Sequence, residues 1–182
     1  MIVHMRFLAS ALLVACISAS AAVVDSSASG FTVKATRTIH ASPATVYAKL
    51  LQIGDWWDPA HTYSHDAHNL SIEAKAGGCY CEKLPGEGGV KHMEVVFLQP
   101  GKRLVMTGGL GPMQAMGVAG SLAIDIAPSA DGTQLTYSYA VGGYSPTGLN
   151  TLAPIIDTVL GQQFTRLVND IERGSPTAAA QK

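Results

Sequence analysis

The chain changes its hydrophobic period once, and this change limits the folds that it can adopt. After residue 30, apolar and polar residues alternate in short runs that end in Gly, Pro, Asn or Asp turns. After Pro146, apolar residues recur at helical spacing over about 25 residues. Short alternating runs followed by one amphipathic helix predict a curved antiparallel sheet with a long helix on one face, an α+β domain.

The predicted elements follow directly from this pattern. A first strand covers residues 31–39, and Ser42-Pro43 then begins a helix, with Ser42 as its N-cap and Gly54 at its end. A second short helical turn carries Trp56-Trp57. The long helix is predicted to begin at Ser145-Pro146 and to end near Arg173-Gly174. Six further strands make about seven in all, at residues 69–75, 79–84, 90–98, 103–107, 118–127 and 134–141.

The first 21 residues have the pattern of an export signal. Arg6 precedes an apolar run, and Ala19-Ser20-Ala21 fits the small-residue site of signal peptidase. The run is shorter than the roughly 20 residues of a transmembrane helix. Leu13-Val14-Ala15-Cys16 also resembles a lipobox, in which Cys16 would carry a lipid anchor. We expect a periplasmic or secreted protein, with a lipoprotein as the alternative.

The net charge and the length of the chain limit its possible functions and its number of domains. The whole chain has 12 Lys and Arg against 13 Asp and Glu, a net charge of -1, which excludes the basic surface of a nucleic-acid-binding protein. We predict a flexible spacer over residues 22–30, one domain over residues 31–173 and a disordered tail over residues 174–182. No cofactor is indicated.

Several local sequences resemble the START/SRPBCC helix-grip superfamily. They are Ser42-Pro43-Ala44-Thr45-Val46-Tyr47, Trp56-Trp57, Ala76-Gly77-Gly78-Cys79-Tyr80-Cys81-Glu82 and the terminal helix. The superfamily includes polyketide cyclase/dehydrase-like proteins and homologues of the heat-shock-protein ATPase activator. The resemblance implies a deep cavity between sheet and helix for an apolar small molecule, without catalysis in many members. The export signal argues against a cytosolic co-chaperone role.

The predicted cavity has an apolar lining and a few polar anchors. One ring of Trp56-Trp57 is expected in the core and the other in the cavity wall. The Gly-rich segment 108–117 is predicted to be a pliable lid, with hairpin packing as the alternative. The expected ligand-binding residues are Trp57, His61, Tyr80, Met106, Met113, Tyr137, Tyr139, Ile156 and Leu160.

Residues of the predicted strand at 79–84 alternate between the two faces of the sheet. Either Cys79 and Cys81 or Tyr80 and Glu82 face the cavity, and parity alone does not decide between them. An inward Glu82 needs a partner, for which His92 on the next strand is the candidate. We rank three states for the cysteines: two buried thiols, then a strained bridge across Cα atoms about 6.5 Å apart, then two metal ligands.

Two further motifs receive weaker interpretations. His61, His65 and His68 are close in sequence and form the candidate metal site, although Pro59 and Ser64 favour a loop. The segment 143–148 is a near miss to a nucleophile elbow, because Thr147 replaces the last Gly, and we discount a serine hydrolase.

Three functions therefore remain, in order of preference. The first is an exported binder of a small hydrophobic molecule. The second is a cyclase or dehydratase in which His92 or Glu82 acts as acid or base and Tyr137 or Tyr139 stabilises an oxyanion. The third is a periplasmic metal- or redox-responsive protein that depends on the histidines and on Cys79 and Cys81.

Overall fold

The computed structural model describes residues 22–178. The predicted export signal with Cys16 and the last four residues of the predicted tail lie outside this range. Within it, no helix is long and apolar enough to cross a membrane.

Eight antiparallel strands form one curved sheet, as the alternating pattern predicts. Their order across the sheet is β1-β2-β8-β7-β6-β5-β4-β3. The strands are β1 (Ala22–Ser27), β2 (Gly30–Ile39), β3 (Leu70–Ile72), β4 (Cys79–Lys83), β5 (Gly89–Gln99), β6 (Arg103–Thr107), β7 (Gly117–Ser129) and β8 (Gly132–Tyr144). The sequence predicted β2 to β8 but not β1, which pairs with β2 where a spacer was expected.

Three α-helices and four 3-10 turns complete the described part of the chain. The helices are α1 (Pro43–Leu51), α2 (Ile53–Trp56) and α3 (Ala153–Arg173). The 3-10 turns are Pro59–His61, Ala67–Asn69, Gly111–Ala115 and Leu149–Thr151. This order of strand, two short helices, strands and one long helix is the predicted helix-grip architecture.

Helix α1 begins as its sequence predicts. The Ser42 hydroxyl accepts a hydrogen bond from the Thr45 amide at 3.2 Å, and Pro43 is the first helical residue. The helix ends before Gly54, however, and Gly54 lies inside α2. A Cβ atom there would lie 3.0 Å from the Ala67 carbonyl oxygen, so the glycine allows a close backbone approach instead of ending the helix.

Helix α3 begins later than predicted. Ser145-Pro146 lies in a turn closed by the Gly148 amide on the Ser145 carbonyl, and the helix starts at Ala153 with Pro154 in its first turn. Proline is tolerated there because the first amides of a helix have no intrahelical partner. The C-terminus agrees with the prediction, since Gly174 adopts a left-handed conformation at φ 68°.

The main core lies between α3 and the sheet. The ring of Tyr137 stacks on that of Phe164 with centroids 4.1 Å apart. Trp56 is 2% exposed and donates from its indole nitrogen to the Lys49 carbonyl at 3.0 Å. The Lys49 ammonium pairs with the buried Asp170 carboxylate at 2.9 Å and so joins α1 to α3. These contacts fix one end of α3 on the sheet and leave the other end over the cavity.

Candidate functional site

A cavity of about 500 Å³ lies between the first half of α3, the inner face of the sheet and two loops. Six of the nine predicted ligand-binding residues line it: Trp57, His61, Tyr80, Met113, Ile156 and Leu160. Trp57 lies in the cavity wall while Trp56 lies in the core, which is the division that the sequence predicted. The Trp57 indole donates to the His61 carbonyl at 3.1 Å and is thereby held in place.

The other three predicted lining residues lie elsewhere. Met106, Tyr137 and Tyr139 are buried in the core and do not line the cavity. The Tyr139 hydroxyl donates to the Gly108 carbonyl at 3.0 Å and accepts from the Leu110 amide at 3.1 Å. Tyr139 therefore anchors the base of the loop that borders the cavity.

Several lining residues were absent from the prediction. Ile155 and Val159 lie on one face of α3 and Leu152 directly precedes the helix, at a helical spacing that is visible in the sequence. Leu110, Gly111 and Pro112 belong to the predicted lid 108–117, although they were not among the predicted ligand-binding residues. Ala60, Thr62 and Tyr63 lie after α2, and their positions depend on the fold of that loop.

Two loops meet at the cavity mouth. Segment 108–117 forms a 3-10 turn that buries Met113, and the loop after α2 carries Tyr63. The Tyr63 hydroxyl donates to the Gly111 carbonyl at 3.1 Å. Tyr63 and Ile155 are 49% and 57% exposed, so apolar groups border the opening. Segment 108–117 therefore lies at the mouth, held there by the Tyr63 bond, by the two bonds to Tyr139 and by the Gln114 side chain.

A buried carboxylate and imidazole form the polar end of the cavity. Glu82 is 1% exposed, and its Oε2 lies 2.9 Å from Nε2 of His92. The same carboxylate accepts hydrogen bonds from the backbone amides of Tyr63 and Ser64. The predicted partnership of Glu82 with His92 is therefore present, and Tyr80 with Glu82 is the pair that faces inward.

An irregularity in β5 turns His92 toward the cavity. Tyr80 is opposite Met93 and Cys81 is opposite Lys91, so His92 is an extra residue in the pairing of β4 with β5. His92 and Met93 are consequently both buried, although neighbours on a regular strand point to opposite faces. The ring of His92 lies against Tyr80 at 4.9 Å and against Tyr63 at 6.0 Å between centroids.

The environment sets the protonation of this pair. Burial raises the pKa of Glu82, but the hydrogen bonds from Ser64, Tyr63 and His92 outweigh it and lower the pKa below its usual value. Burial lowers the pKa of His92 more than the hydrogen bond and charge of Glu82 raise it. At neutral pH the pair is therefore an ionised carboxylate and a neutral imidazole.

The two cysteines lie on the outer face and form a disulfide bond. The sequence ranked two free thiols first, so this ranking was wrong. The expected separation assumed a regular strand, whereas the Cα atoms of Cys79 and Cys81 lie 5.3 Å apart beside the irregular pairing of β4 with β5. That distance is ordinary for a disulfide. The bridge encloses Tyr80, whose ring lines the cavity.

The three clustered histidines do not converge. His61 lines the cavity, His68 bonds to Asp66 at 2.9 Å, and His65 has a positive φ of 57° in the loop. Within residues 22–178, no group of three or more His, Cys, Asp or Glu side chains is placed to hold a metal ion. The loop geometry thus gives no support to the metal alternative.

Acid should destabilise the protein through His92. Because the pKa of His92 in the folded state lies below 6.5, the unfolded state binds the proton more readily. This contribution to stability is fully present above pH 6.5 and is lost as the pH falls through the folded-state pKa. Between pH 7.5 and about pH 5.5, urea unfolding should show wild type losing up to about 1.4 kcal/mol more than His92→Gln. Equal losses, or a gain by wild type on acidification, would contradict the neutral imidazole.

Comparison with known proteins agrees with this architecture. A family model described as polyketide cyclase / dehydrase and lipid transport matches residues 30–172. No curated protein matches the chain. Among solved structures, EF2215 from Enterococcus faecalis, a conserved protein of unknown function, is 18% identical with a TM-score of 0.58, over 91% of this chain and 82% of that one.

Two more solved structures show the same fold. The Aha1 dimer from Colwellia psychrerythraea is 19% identical with a TM-score of 0.57, over 79% of this chain and 97% of that one. CalU16 from Micromonospora echinospora is 13% identical with a TM-score of 0.52, over 88% and 87%. At such identities the likeness concerns the fold alone. The family match over most of the chain, together with this helix-grip fold, shows that the chain belongs to the polyketide cyclase/dehydrase and lipid transport family of the START/SRPBCC superfamily.

Proposed function

We propose that this protein is an exported carrier that holds one small hydrophobic molecule, of lipid, polyketide or aromatic type, in the cavity under α3. The observation that carries the proposal is the chemistry of the cavity wall. None of the sixteen described residues that line it is Asp, Glu, Lys or Arg, and most are aliphatic or aromatic. A concave apolar site of about 500 Å³ has the size of a small-molecule site.

The energy available from such a cavity is sufficient for binding. A guest that buries about 300 Å² of apolar surface gains roughly 7 kcal/mol before the entropic cost of association. Before that cost, about 7 kcal/mol corresponds to a Kd of about 10 μM, so micromolar affinity is the upper limit for a guest without polar contacts. The family description, which includes lipid transport, supports the same use of the cavity.

Filling the cavity should weaken the binding of an apolar ligand. Val159→Trp places an indole in the space between α3 and the loops, because Val159 is half-buried and lines the cavity. The affinity for the fluorescent apolar probe N-phenyl-1-naphthylamine should fall at least about tenfold, since the probe loses most of its apolar contact area. The matched control is Gln162→Trp, an exposed residue of the same helix outside the cavity. Equal probe affinity in wild type and Val159→Trp would contradict the proposal.

Export is supported by the first 21 residues, where a charged residue, an apolar run and Ala19-Ser20-Ala21 follow one another. Intact-mass analysis after expression with this segment in a Gram-negative host should show a soluble periplasmic species that begins near Ala22. A lipidated species that begins at Cys16 would support the lipoprotein alternative. An uncleaved chain in the cytoplasm would contradict export.

A second candidate function is acid–base catalysis, and the buried Glu82–His92 pair favours it. A carboxylate that holds a neutral imidazole beside an apolar cavity is an arrangement that general-base enzymes use. In such a reaction, His92 would remove a proton from a bound carbonyl compound while Glu82 stabilises the imidazolium. The carrier and the enzyme differ in one respect, since a carrier releases its guest unchanged.

Solvent exchange distinguishes the two candidates. An apolar bicyclic ketone such as 2-tetralone would be incubated with the protein in D₂O, and loss of its α-protons followed by NMR. An enzyme should accelerate exchange by about 10² or more, and His92→Ala should remove the effect. If the ketone binds but exchanges at the uncatalysed rate, acid–base catalysis on this compound class is contradicted and the carrier function stands.

A further inference from the structure

We propose that the cavity selects a neutral apolar ligand that carries a hydroxyl group, and that this hydroxyl donates a hydrogen bond to Nδ1 of His92. The inference rests on the proposed ligand-binding function and deepens it. It names the polar group of the ligand and the atom that recognises it. It follows from three features of the site: the tautomer of His92, its weak second partner and the absence of charge in the cavity wall.

The hydrogen-bond network assigns the tautomer of His92. Nε2 lies 2.9 Å from Oε2 of Glu82, and an ionised carboxylate only accepts hydrogen bonds. Nε2 therefore carries the proton, and the neutral imidazole presents a lone pair at Nδ1. Because the Tyr63 and Ser64 amides also donate to Glu82, the carboxylate is held in this orientation. Because His92 lines the cavity, Nδ1 is the acceptor that the pair can offer to a ligand there.

The protein satisfies this acceptor poorly. Its hydrogen-bond partner in the structure is the side-chain amide nitrogen of Gln114, which lies 3.4 Å from Nδ1, beyond the usual range for a strong hydrogen bond. The same nitrogen donates to the Lys91 carbonyl at 3.1 Å, which fixes its identity as the donor end of the amide. Gln114 lies in the loop at the cavity mouth. A ligand hydroxyl can replace this long contact without breaking the bond to Lys91.

The cavity wall disfavours a carboxylate at the same position. The described lining has no Lys or Arg to neutralise a buried anion, and the charge of Glu82 lies directly behind His92. An unpaired buried charge is strongly unfavourable, whereas a hydroxyl loses little if it finds an acceptor. The hydroxyls of Thr62 and Tyr63 already donate to backbone carbonyls. Two histidines, His61 and His92, line the cavity, and the Glu82 carboxylate fixes the tautomer of His92. We therefore expect His92 to be the acceptor that distinguishes an alcohol or phenol from a fatty acid.

The test compares three compounds with one apolar body. 4-Hexylphenol, hexylbenzene and 4-hexylbenzoate would compete with N-phenyl-1-naphthylamine for wild-type protein at pH 7.5. We expect 4-hexylphenol to bind at least about threefold more tightly than hexylbenzene, and at least about tenfold more tightly than 4-hexylbenzoate. Equal affinities, or tighter binding of the benzoate, would overturn the inference while leaving the carrier function intact. Failure of all three to displace the probe would overturn both.

Two variants locate the preference at His92. His92→Phe keeps an aromatic ring between Tyr63 and Tyr80 but removes the acceptor, so 4-hexylphenol and hexylbenzene should bind alike. Gln114→Leu removes the competing donor at a half-buried surface position, and the preference for the phenol should increase. Because Gln114→Leu leaves the Glu82–His92 pair untouched, it tests the inference even if His92→Phe folds poorly. An unchanged phenol preference in both variants would show that another group recognises the hydroxyl.

Discussion

The site depends on how a single buried carboxylate is held. Glu82 projects inward from β4, where it is 1% exposed, and it accepts hydrogen bonds from two backbone amides of the loop after α2 and from His92 on β5. A buried charge without such partners would be strongly destabilising. The carboxylate therefore fixes three separate parts of the chain relative to one another: β4, β5 and the loop that carries Tyr63. The polar end of the cavity exists because these parts are joined there.

Much of the fold was predictable because the hydrophobic period is a local signal. The alternation of Phe31, Val33 and Ala35 fixes β2, and the helical spacing of Leu160, Phe164 and Leu167 fixes α3. The errors have local causes as well. Strand β1 is exposed along its whole length and so has no alternating apolar residues. Ser145-Pro146 has the composition of a helix start, but the chain needs a further turn and a 3-10 segment before α3 reaches the sheet.

The site was only partly predictable, because the sequence does not show where along the inner face of the sheet each residue lies. Alternation places Tyr137 and Tyr139 on one face of β8 and Tyr80 with Glu82 on one face of β4, but it does not say which face points inward or which part of it α3 covers. Tyr137 lies under Phe164 in the core, whereas Tyr80 lies at the open end. The orientation of His92 could not be predicted from the alternation of residues along the strand, because one extra residue in β5 reverses that alternation. The sequence paired Glu82 with His92 only on the ground that a buried carboxylate needs a hydrogen-bond partner.

The cavity remains open because hydrogen bonds to backbone carbonyls hold two aromatic rings of its wall in place. Trp57 is held by the His61 carbonyl and Tyr63 by the Gly111 carbonyl. Without these bonds, the gain from apolar contact would favour rotation of either ring into the empty space. A hydrogen bond that directs an aromatic ring along the wall opposes this collapse. The same contacts therefore also oppose opening of the mouth, since segment 108–117 separates from the loop after α2 only if the Tyr63 bond is broken.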